Sequence, residues 1–215
     1  MPGDLRWIGG SPCSGKSTVA ANLAAADGLP LYSCDDAFER HAAGGPVLRK
    51  VTTMSVGDRL AQPVDVQVDD VFRLYREEFP LILDDLREAG TATVVEGAAL
   101  LPELLAGIDV PRHRAVWIVP TEDFQIHHYR QRSWAHELLA GLDRPDEAFR
   151  RWMRRDAVFA ATVAAQARDL GYPVIVTDGS VGVQQTTAMV DRLLSTGADR
   201  SDGRATRIGE RRDQR

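Results

Sequence analysis

The chain has 215 residues and a formal net charge of −5 at pH 7, and 44% of its residues are hydrophobic. That length fits one α/β domain, the apolar content excludes a disordered chain, and the mild acidity argues against nonspecific nucleic-acid binding. The sequence has no apolar run that would span a membrane, no signal pattern in its first residues and only two cysteines, so we expect a protein of the reducing cytoplasm.

Hydrophobic periodicity predicts strands and helices that alternate along the chain. The predicted strands are 5–8, 30–34, 91–95, 115–119 and 174–177. The predicted helices are 16–26, 69–89, 102–106, 122–140, 146–170 and 183–194. Regular β-α alternation of this kind predicts a parallel sheet with helices on both faces.

Two segments depart from this alternation. Residues 37–68 contain glycines and prolines without a clean period, so we expect an irregular insertion there, on the side of the substrate. Residues 199–215 are polar and aperiodic, which predicts a disordered tail. No break in composition marks a second domain, so residues 1–198 are predicted to form a single domain.

The first predicted strand and helix are joined by a phosphate-loop motif. Residues 10–17 match the pattern G-x-x-x-x-G-K-[ST], in which glycines allow backbone amides to surround phosphate oxygens at a helix N-terminus. The residues predicted to hold the nucleotide in this loop are Gly10, Ser11, Pro12, Cys13, Ser14, Gly15, Lys16, Ser17 and Thr18. Lys16 is expected to reach the β- and γ-phosphates and Ser17 to bind Mg²⁺. Lys16 is also one of only two lysines among 26 basic residues.

From residue 5 to about residue 196, the motif and the order of elements resemble the P-loop kinases of the nucleoside/nucleotide-kinase-like group. The resemblance implies a three-layer α/β fold with a five-stranded parallel sheet of order 2-3-1-4-5, an arginine-bearing helical lid over 122–156, and Mg²⁺ with ATP as the phosphate donor. The sequence has no N-K-x-D and no L-S-G-G-Q motif, which argues against a translational-type GTPase and a transporter ATPase.

Two aspartates follow the second predicted strand, at the sheet edge where ligands bind in parallel α/β proteins. The stretch 34–38 is similar to the Asp-Asp/Ser-x-aromatic sequence of uridine-kinase-like enzymes, polynucleotide 5′-kinases and chloramphenicol-type phosphotransferases. In those families the first acid accepts the proton of the attacking hydroxyl, and the resemblance gives that role to Asp35. Asp36 is a second candidate for the base and a candidate Mg²⁺ ligand, and both aspartates could instead cap the next helix.

Four further residues complete the predicted site. Glu96 ends the third predicted strand, where a carboxylate would support Mg²⁺. Arg130 and Arg132 lie in the region of the lid arginines, which stabilise the charge that develops during phosphoryl transfer. Asp178 follows the last predicted strand, in the loop that packs on the adenine in similar kinases.

The sequence thus predicts an ATP-dependent phosphotransferase that acts on a hydroxyl of a small molecule such as a nucleoside, a sugar or an antibiotic. We expect a monomer or homodimer with no membrane or nucleic-acid partner. The alternatives are a nucleoside-monophosphate-type kinase, a polynucleotide 5′-kinase and a nucleotide-binding protein without transfer activity. In the first of these, Arg40, Arg49 or Arg59 would hold the acceptor phosphate.

Overall fold

A computed structural model of the chain describes residues 4–195, and the predicted tail at 199–215 lies outside them. The strands are β1 (Leu5–Gly10), β2 (Leu31–Ser33), β3 (Thr93–Glu96), β4 (Ala115–Pro120) and β5 (Val174–Thr177). All paired strands are parallel and their order is β2-β3-β1-β4-β5. The predicted fold class, an α/β fold with a five-stranded parallel sheet of order 2-3-1-4-5, is therefore confirmed.

Helices connect the strands and cover both faces of the sheet. They are α1 (Lys16–Asp27), α2 (Cys34–His41), α3 (Pro46–Thr53), α4 (Val56–Ala61), α5 (Val64–Ala89), α6 (Pro102–Gly107), α7 (Glu122–Arg130), α8 (Ser133–Ala140), α9 (Pro145–Asp169) and α10 (Val183–Ser195). No helix within residues 4–195 is long and apolar enough to cross a membrane.

The prediction of an irregular insertion at 37–68 is wrong, because this segment is largely helical. It contains most of α2, all of α3 and α4, and the first residues of α5. Pro46 occupies the first turn of α3, and the Ser55 side chain caps α4 by accepting a hydrogen bond from the amide of Asp58. Helices of six to eight residues span about two turns, too few for a hydrophobic period to emerge from the sequence.

The single helix predicted over 122–140 is in fact two. Gln131 ends α7, and Arg132 has extended backbone angles (φ −91°, ψ 113°) before α8 begins. No glycine or proline marks this break in the sequence. At this break, Tyr129 and Trp134 pack on Trp152 of α9, and the centroids of their rings lie 4.9 and 5.7 Å from that of Trp152. Tertiary contacts rather than local propensity therefore separate the two helices.

Alternating side chains of the strands divide the core into two layers. On one face, Trp7 and Trp117 pack with α5, α6 and α9. On the other face, Ile8 and Ile118 pack with α1 and α10. The chain therefore forms the expected three layers of helices, sheet and helices. Because all strands are parallel, the residues that follow them lie along one edge of the sheet, where the candidate site is found.

Gly9 gives a test of this packing. A side chain at Gly9 would lie 2.7 Å from Trp117 Cδ1, whereas one at Gly107 would meet no atom within 4 Å. We expect Gly9→Ala to lower the free energy of unfolding by about 1–3 kcal/mol through overpacking, and Gly107→Ala to leave it unchanged or slightly raised. Denaturant unfolding of the two variants measures the difference, and equal stabilities would contradict the described contact between β1 and β4.

Candidate active site

The phosphate loop joins β1 to α1, and two of its glycines have backbone conformations that other residues rarely adopt. Gly10 has φ +139° and Gly15 has φ +84°. A side chain on Gly10 would collide with the carbonyl oxygen of Ile118 on β4, which also accepts a hydrogen bond from the amide of Ser11. Gly15 is the N-cap of α1, so the positive end of this helix lies at the loop. The loop therefore has the backbone that phosphate binding requires.

Glu96 meets the first turn of α1 from the neighbouring strand. In the parallel pairing of β1 with β3, Glu96 lies opposite Ile8, close to the point where the loop begins. Ser17 Oγ donates a hydrogen bond to Glu96 Oε2 at 3.1 Å, and Lys16 Nζ lies 3.7 Å from the same oxygen. Both Lys16 and Glu96 are buried. Since 3.7 Å is longer than a direct hydrogen bond, the ammonium keeps its donors available for another oxygen ligand.

The loop also has buried hydrogen-bonding atoms that the described protein does not use. The hydroxyl oxygens of Ser11 and Ser14 are buried without a partner among the described residues, although buried polar atoms are normally paired. These hydroxyls and the Lys16 ammonium are suited to donate hydrogen bonds to the oxygens of consecutive phosphate groups. Ser17 and Glu96 carry oxygen atoms of the kind that Mg²⁺ accepts alongside phosphate oxygens. The residues present therefore fit the phosphate chain of a nucleotide together with Mg²⁺.

The two predicted aspartates lie in the first turn of α2, directly after β2. The capping residue of this helix is Ser33, whose Oγ accepts a hydrogen bond from the Asp36 amide at 3.3 Å, so the capping alternative for the aspartates is wrong. Both aspartate side chains are exposed, and the helix N-terminus stabilises their negative charge. Within residues 4–195, no hydrogen bond joins Asp36 to Ser17 or Glu96.

Cys34 lies between these aspartates and the phosphate loop. Burial raises the pKa of the Cys34 thiol well above its usual value. The carboxylates of Glu78, Glu96 and Asp35 raise this pKa further. The ammonium of Lys16 acts to lower the pKa of this thiol. Cys34 also packs against Gly97, which follows Glu96, since a side chain on Gly97 would lie 2.6 Å from its Sγ, and it lines a cavity.

This cavity has a volume of about 300 Å³ and opens beside Asp35. Its walls are mainly apolar, with Phe38, Val51 and Leu60 contributed by the segment 37–68. The lining residues that carry side-chain hydrogen-bonding or charged groups are Asp35, Arg59, Tyr75, Glu78, Trp152 and Arg155. A mostly apolar cavity with a few polar groups is typical of a small-molecule site, so it is the candidate acceptor pocket.

Glu78 is a buried member of this lining that the sequence reasoning missed. Its Oε1 lies 3.2 Å from His41 Nδ1, and the Nε2 of the same ring lies 3.2 Å from Asp85 Oδ2. Burial raises the pKa of Glu78, and the hydrogen bond with His41 acts to lower it. The spacing of the sequence could have indicated that Glu78 is buried, because it lies four residues after Leu74 and four before Ile82 in the apolar stripe of α5.

The two predicted lid arginines differ in position. Burial raises the pKa of the Cys13 thiol in the phosphate loop, and the guanidinium of Arg132 is close enough to act to lower it. Arg132 also lies 5.7 Å from the ring centroid of Tyr129. Arg130 instead lies 5.9 Å from the ring centroid of Phe149 on α9. The rings under both arginines, Tyr129 and Phe149, thus belong to the cluster with which Cys13 of the loop packs, and only the guanidinium of Arg132 acts on the pKa of Cys13.

Asp178 follows β5, which ends against the phosphate loop. The Thr177 hydroxyl donates a hydrogen bond to the carbonyl oxygen of Ser14 at 3.2 Å. The Asp178 carboxylate accepts hydrogen bonds from the Ser180 hydroxyl at 2.5 Å and from its amide at 2.9 Å, and these hold the pKa of Asp178 below its usual value. The predicted nucleotide residue is thus next to the loop, but its carboxylate is engaged within its own turn.

No protein-family model and no curated protein matches this chain. Solved structures show limited similarity. A candidate kinase from Chloroflexus aurantiacus is 18% identical with a TM-score of 0.45, covering 90% of this chain and 100% of its own. An uncharacterized protein from Eubacterium ventriosum is 20% identical with a TM-score of 0.47, covering 90% and 98%. Shikimate kinase from Acinetobacter baumannii, in complex with shikimate, is 14% identical with a TM-score of 0.47, covering 92% and 94%. The strand order described above, not these similarities, defines the fold class.

The contact of Glu96 with Lys16 and Ser17 can be tested on the nucleotide-free protein. We expect Glu96→Gln to lower the free energy of unfolding by about 1–3 kcal/mol, because it leaves the buried ammonium without a counter-charge. The exposed Glu137 provides the control, and Glu137→Gln should change stability by less than about 0.5 kcal/mol. If both variants unfold at the same denaturant concentration as the unchanged protein, the buried contact does not stabilise the fold.

Proposed function

We propose that this protein is a Mg²⁺-dependent P-loop kinase that transfers the γ-phosphate of ATP to a hydroxyl group of a small molecule. The observation that carries this proposal is the adjacency of two sites. Cys34 lines the cavity together with Asp35 and Glu78. Its Sγ packs against Gly97, which directly follows Glu96, the partner of Lys16 and Ser17. A donor site and an acceptor site that share a boundary are what direct phosphoryl transfer requires.

Each residue in this proposal has a distinct role. The loop amides, Ser11, Ser14 and Lys16 bind the triphosphate, and Arg132 neutralises charge that develops on the transferred group. Asp35 orients the acceptor hydroxyl and takes its proton. A bond forms between the acceptor oxygen and the γ-phosphorus while the bond from that phosphorus to ADP breaks. When bound, Mg²⁺ would neutralise phosphate charge, and Ser17 and Glu96 are the residues that would hold it.

The size of the cavity and the charge of the chain bear on the class of acceptor. The acceptor is a small molecule, because the cavity holds about 300 Å³. A net charge of −5 disfavours a nucleic-acid substrate, and we propose a monomer or homodimer in the cytoplasm. A steep dependence of substrate affinity on salt concentration would instead favour a polynucleotide 5′-kinase.

The two lysines of the chain provide a matched test of nucleotide binding. We expect Lys16→Ala to weaken the binding of ATP by at least about tenfold, because a charge-assisted contact to phosphate is lost. Lys50 forms an ion pair with Asp70 at 2.6 Å and does not line the cavity, so Lys50→Ala should bind ATP as the unchanged protein does. Isothermal titration calorimetry with ATP and Mg²⁺ measures both affinities. Equal affinities in the two variants would contradict the phosphate-loop assignment.

The two aspartates of α2 test the nature of the acceptor. A screen for ATP consumption over nucleosides, sugars and antibiotics first identifies a working acceptor. We then expect Asp35→Asn to lower kcat by about 10²–10⁴-fold with ATP affinity retained, and Asp36→Asn to have a much smaller effect. Near-normal turnover of Asp35→Asn would contradict a hydroxyl acceptor and favour a nucleoside-monophosphate-type kinase. Tight ATP binding without transfer to any acceptor would favour a non-catalytic nucleotide-binding protein.

A further inference from the structure

Cys13, in the phosphate loop, has a backbone conformation that residues with a side chain rarely adopt. Its φ is +62°, in the left-handed region. Among residues 4–195, Asp109 is the only other non-glycine residue with a positive φ. In this region the Cβ atom crowds the backbone, so glycine is the residue that fits it without strain. A cysteine here is therefore unfavourable locally unless its side chain makes a stabilising contact elsewhere.

The Cys13 side chain makes such a contact with the region 122–156. It is half-buried and, alone among residues 10–18, packs against the buried cluster of α7–α9. The members of this cluster are Tyr129, Ala135, Leu139, Trp152, Met153 and Leu60 of α4. The Tyr129 hydroxyl donates a hydrogen bond to the buried Asp156 at 3.0 Å, and the ring centroids of Tyr129 and Trp152 lie 4.9 Å apart. The thiol thus joins the phosphate loop to a well-packed part of α7–α9.

Arg132 lies on the same cluster and is held there by aromatic rings. Its guanidinium carbon lies 5.7 Å from the ring centroid of Tyr129 and 5.8 Å from that of Trp134. Its side chain makes no hydrogen bond or ion pair within residues 4–195, so these rings are what hold it in position. The guanidinium acts to lower the pKa of the Cys13 thiol, which agrees with this arrangement. A cation over aromatic faces can still donate its N–H groups to a phosphate.

We propose that Cys13 is a positioning residue for phosphoryl transfer, and that its side chain holds the cluster under Arg132 against the phosphate loop. The thiol binds no phosphate and transfers no proton in this role. It acts through Arg132, whose guanidinium neutralises the charge on the transferred group only if it lies beside the loop. This inference rests on the proposed function and explains why a cysteine occupies a backbone position that favours glycine.

Loss of the Cys13 sulfur should therefore affect the transition state and not the binding of ATP. With the acceptor that the ATP-consumption screen identifies, we expect Cys13→Ala to lower kcat by at least about threefold, while the Kd of ATP stays within about twofold. Alanine keeps the Cβ atom and its restriction of the backbone, so this variant tests the side-chain contact alone. Cys13→Ser keeps a side chain of nearly the same size and should retain most of kcat. Weaker ATP binding with unchanged kcat in Cys13→Ala would overturn the inference.

A double-mutant cycle shows whether Cys13 acts through Arg132. If it does, Cys13→Ala should lower kcat no further once Arg132→Gln has removed the guanidinium. Arg130 provides the matched control, because it also lies over a ring that packs against the cluster, that of Phe149 at 5.9 Å. In Arg130→Gln the full effect of Cys13→Ala should persist. An equal loss of kcat in the Arg132→Gln background and in the unchanged protein would contradict the inference, as would disappearance of the loss in Arg130→Gln.

NMR spectroscopy tests the contact without nucleotide or acceptor, so the inference and the proposed function fail separately. The side-chain Nε–H resonance of Arg132 is followed in the ¹⁵N-labelled full chain and is assigned by its loss in Arg132→Gln. Cys13→Ala should shift this resonance, and Cys13→Ser should shift it less. A resonance that is identical in all three proteins would overturn the inference even if the protein is a kinase. If the protein binds no ATP, the proposed function is contradicted, while this shift still decides whether Cys13 positions Arg132.

Discussion

A buried lysine requires a counter-charge, and in this fold Glu96 provides it from the adjacent strand. The contact depends on the parallel pairing of β1 with β3, because that register places Glu96 beside the first turn of α1. The same carboxylate accepts a hydrogen bond from Ser17, so it fixes two side chains of the phosphate loop. At 3.7 Å the charges attract without forming a direct hydrogen bond, which leaves the Lys16 ammonium able to bind phosphate. Glu96 thus ties the first turn of α1 to the neighbouring strand.

The acceptor cavity extends this charge arrangement away from the sheet. Cys34 begins α2, packs against Gly97 beside Glu96 and lines the cavity, so the helix that carries Asp35 lies between the two candidate sites. The segment 37–68 and the region 122–156 both contribute to the walls of the cavity. Cys13 of the phosphate loop and Leu60 of α4 both pack with the buried cluster of α7–α9, so this cluster joins the loop to one wall of the cavity.

The parts of the site that are local in sequence could be predicted, and the parts that depend on tertiary packing could not. Residues 10–18 and Glu96 follow their strands directly, so the motif and strand order were sufficient to place them. The short helices at 37–68 escaped prediction because two turns give no measurable period, and the break before Arg132 has no glycine or proline signal. Glu78 of α5 and Arg155 of α9 line the same cavity, an arrangement that no spacing within one helix reveals.

Lysine and arginine occupy different parts of the candidate active site. Lys16, a compact ammonium with three donors, lies where phosphate oxygens would surround it from several directions. The cavity wall instead uses arginines, whose planar groups pack on aromatic rings while still donating hydrogen bonds, as Arg155 does 6.0 Å from the ring centroid of Trp152. The other lysine, Lys50, forms an exposed ion pair with Asp70, a contact that an arginine could also make. In a chain whose basic residues are nearly all arginine, the lysine that we propose to bind phosphate is therefore the one whose shape arginine cannot replace.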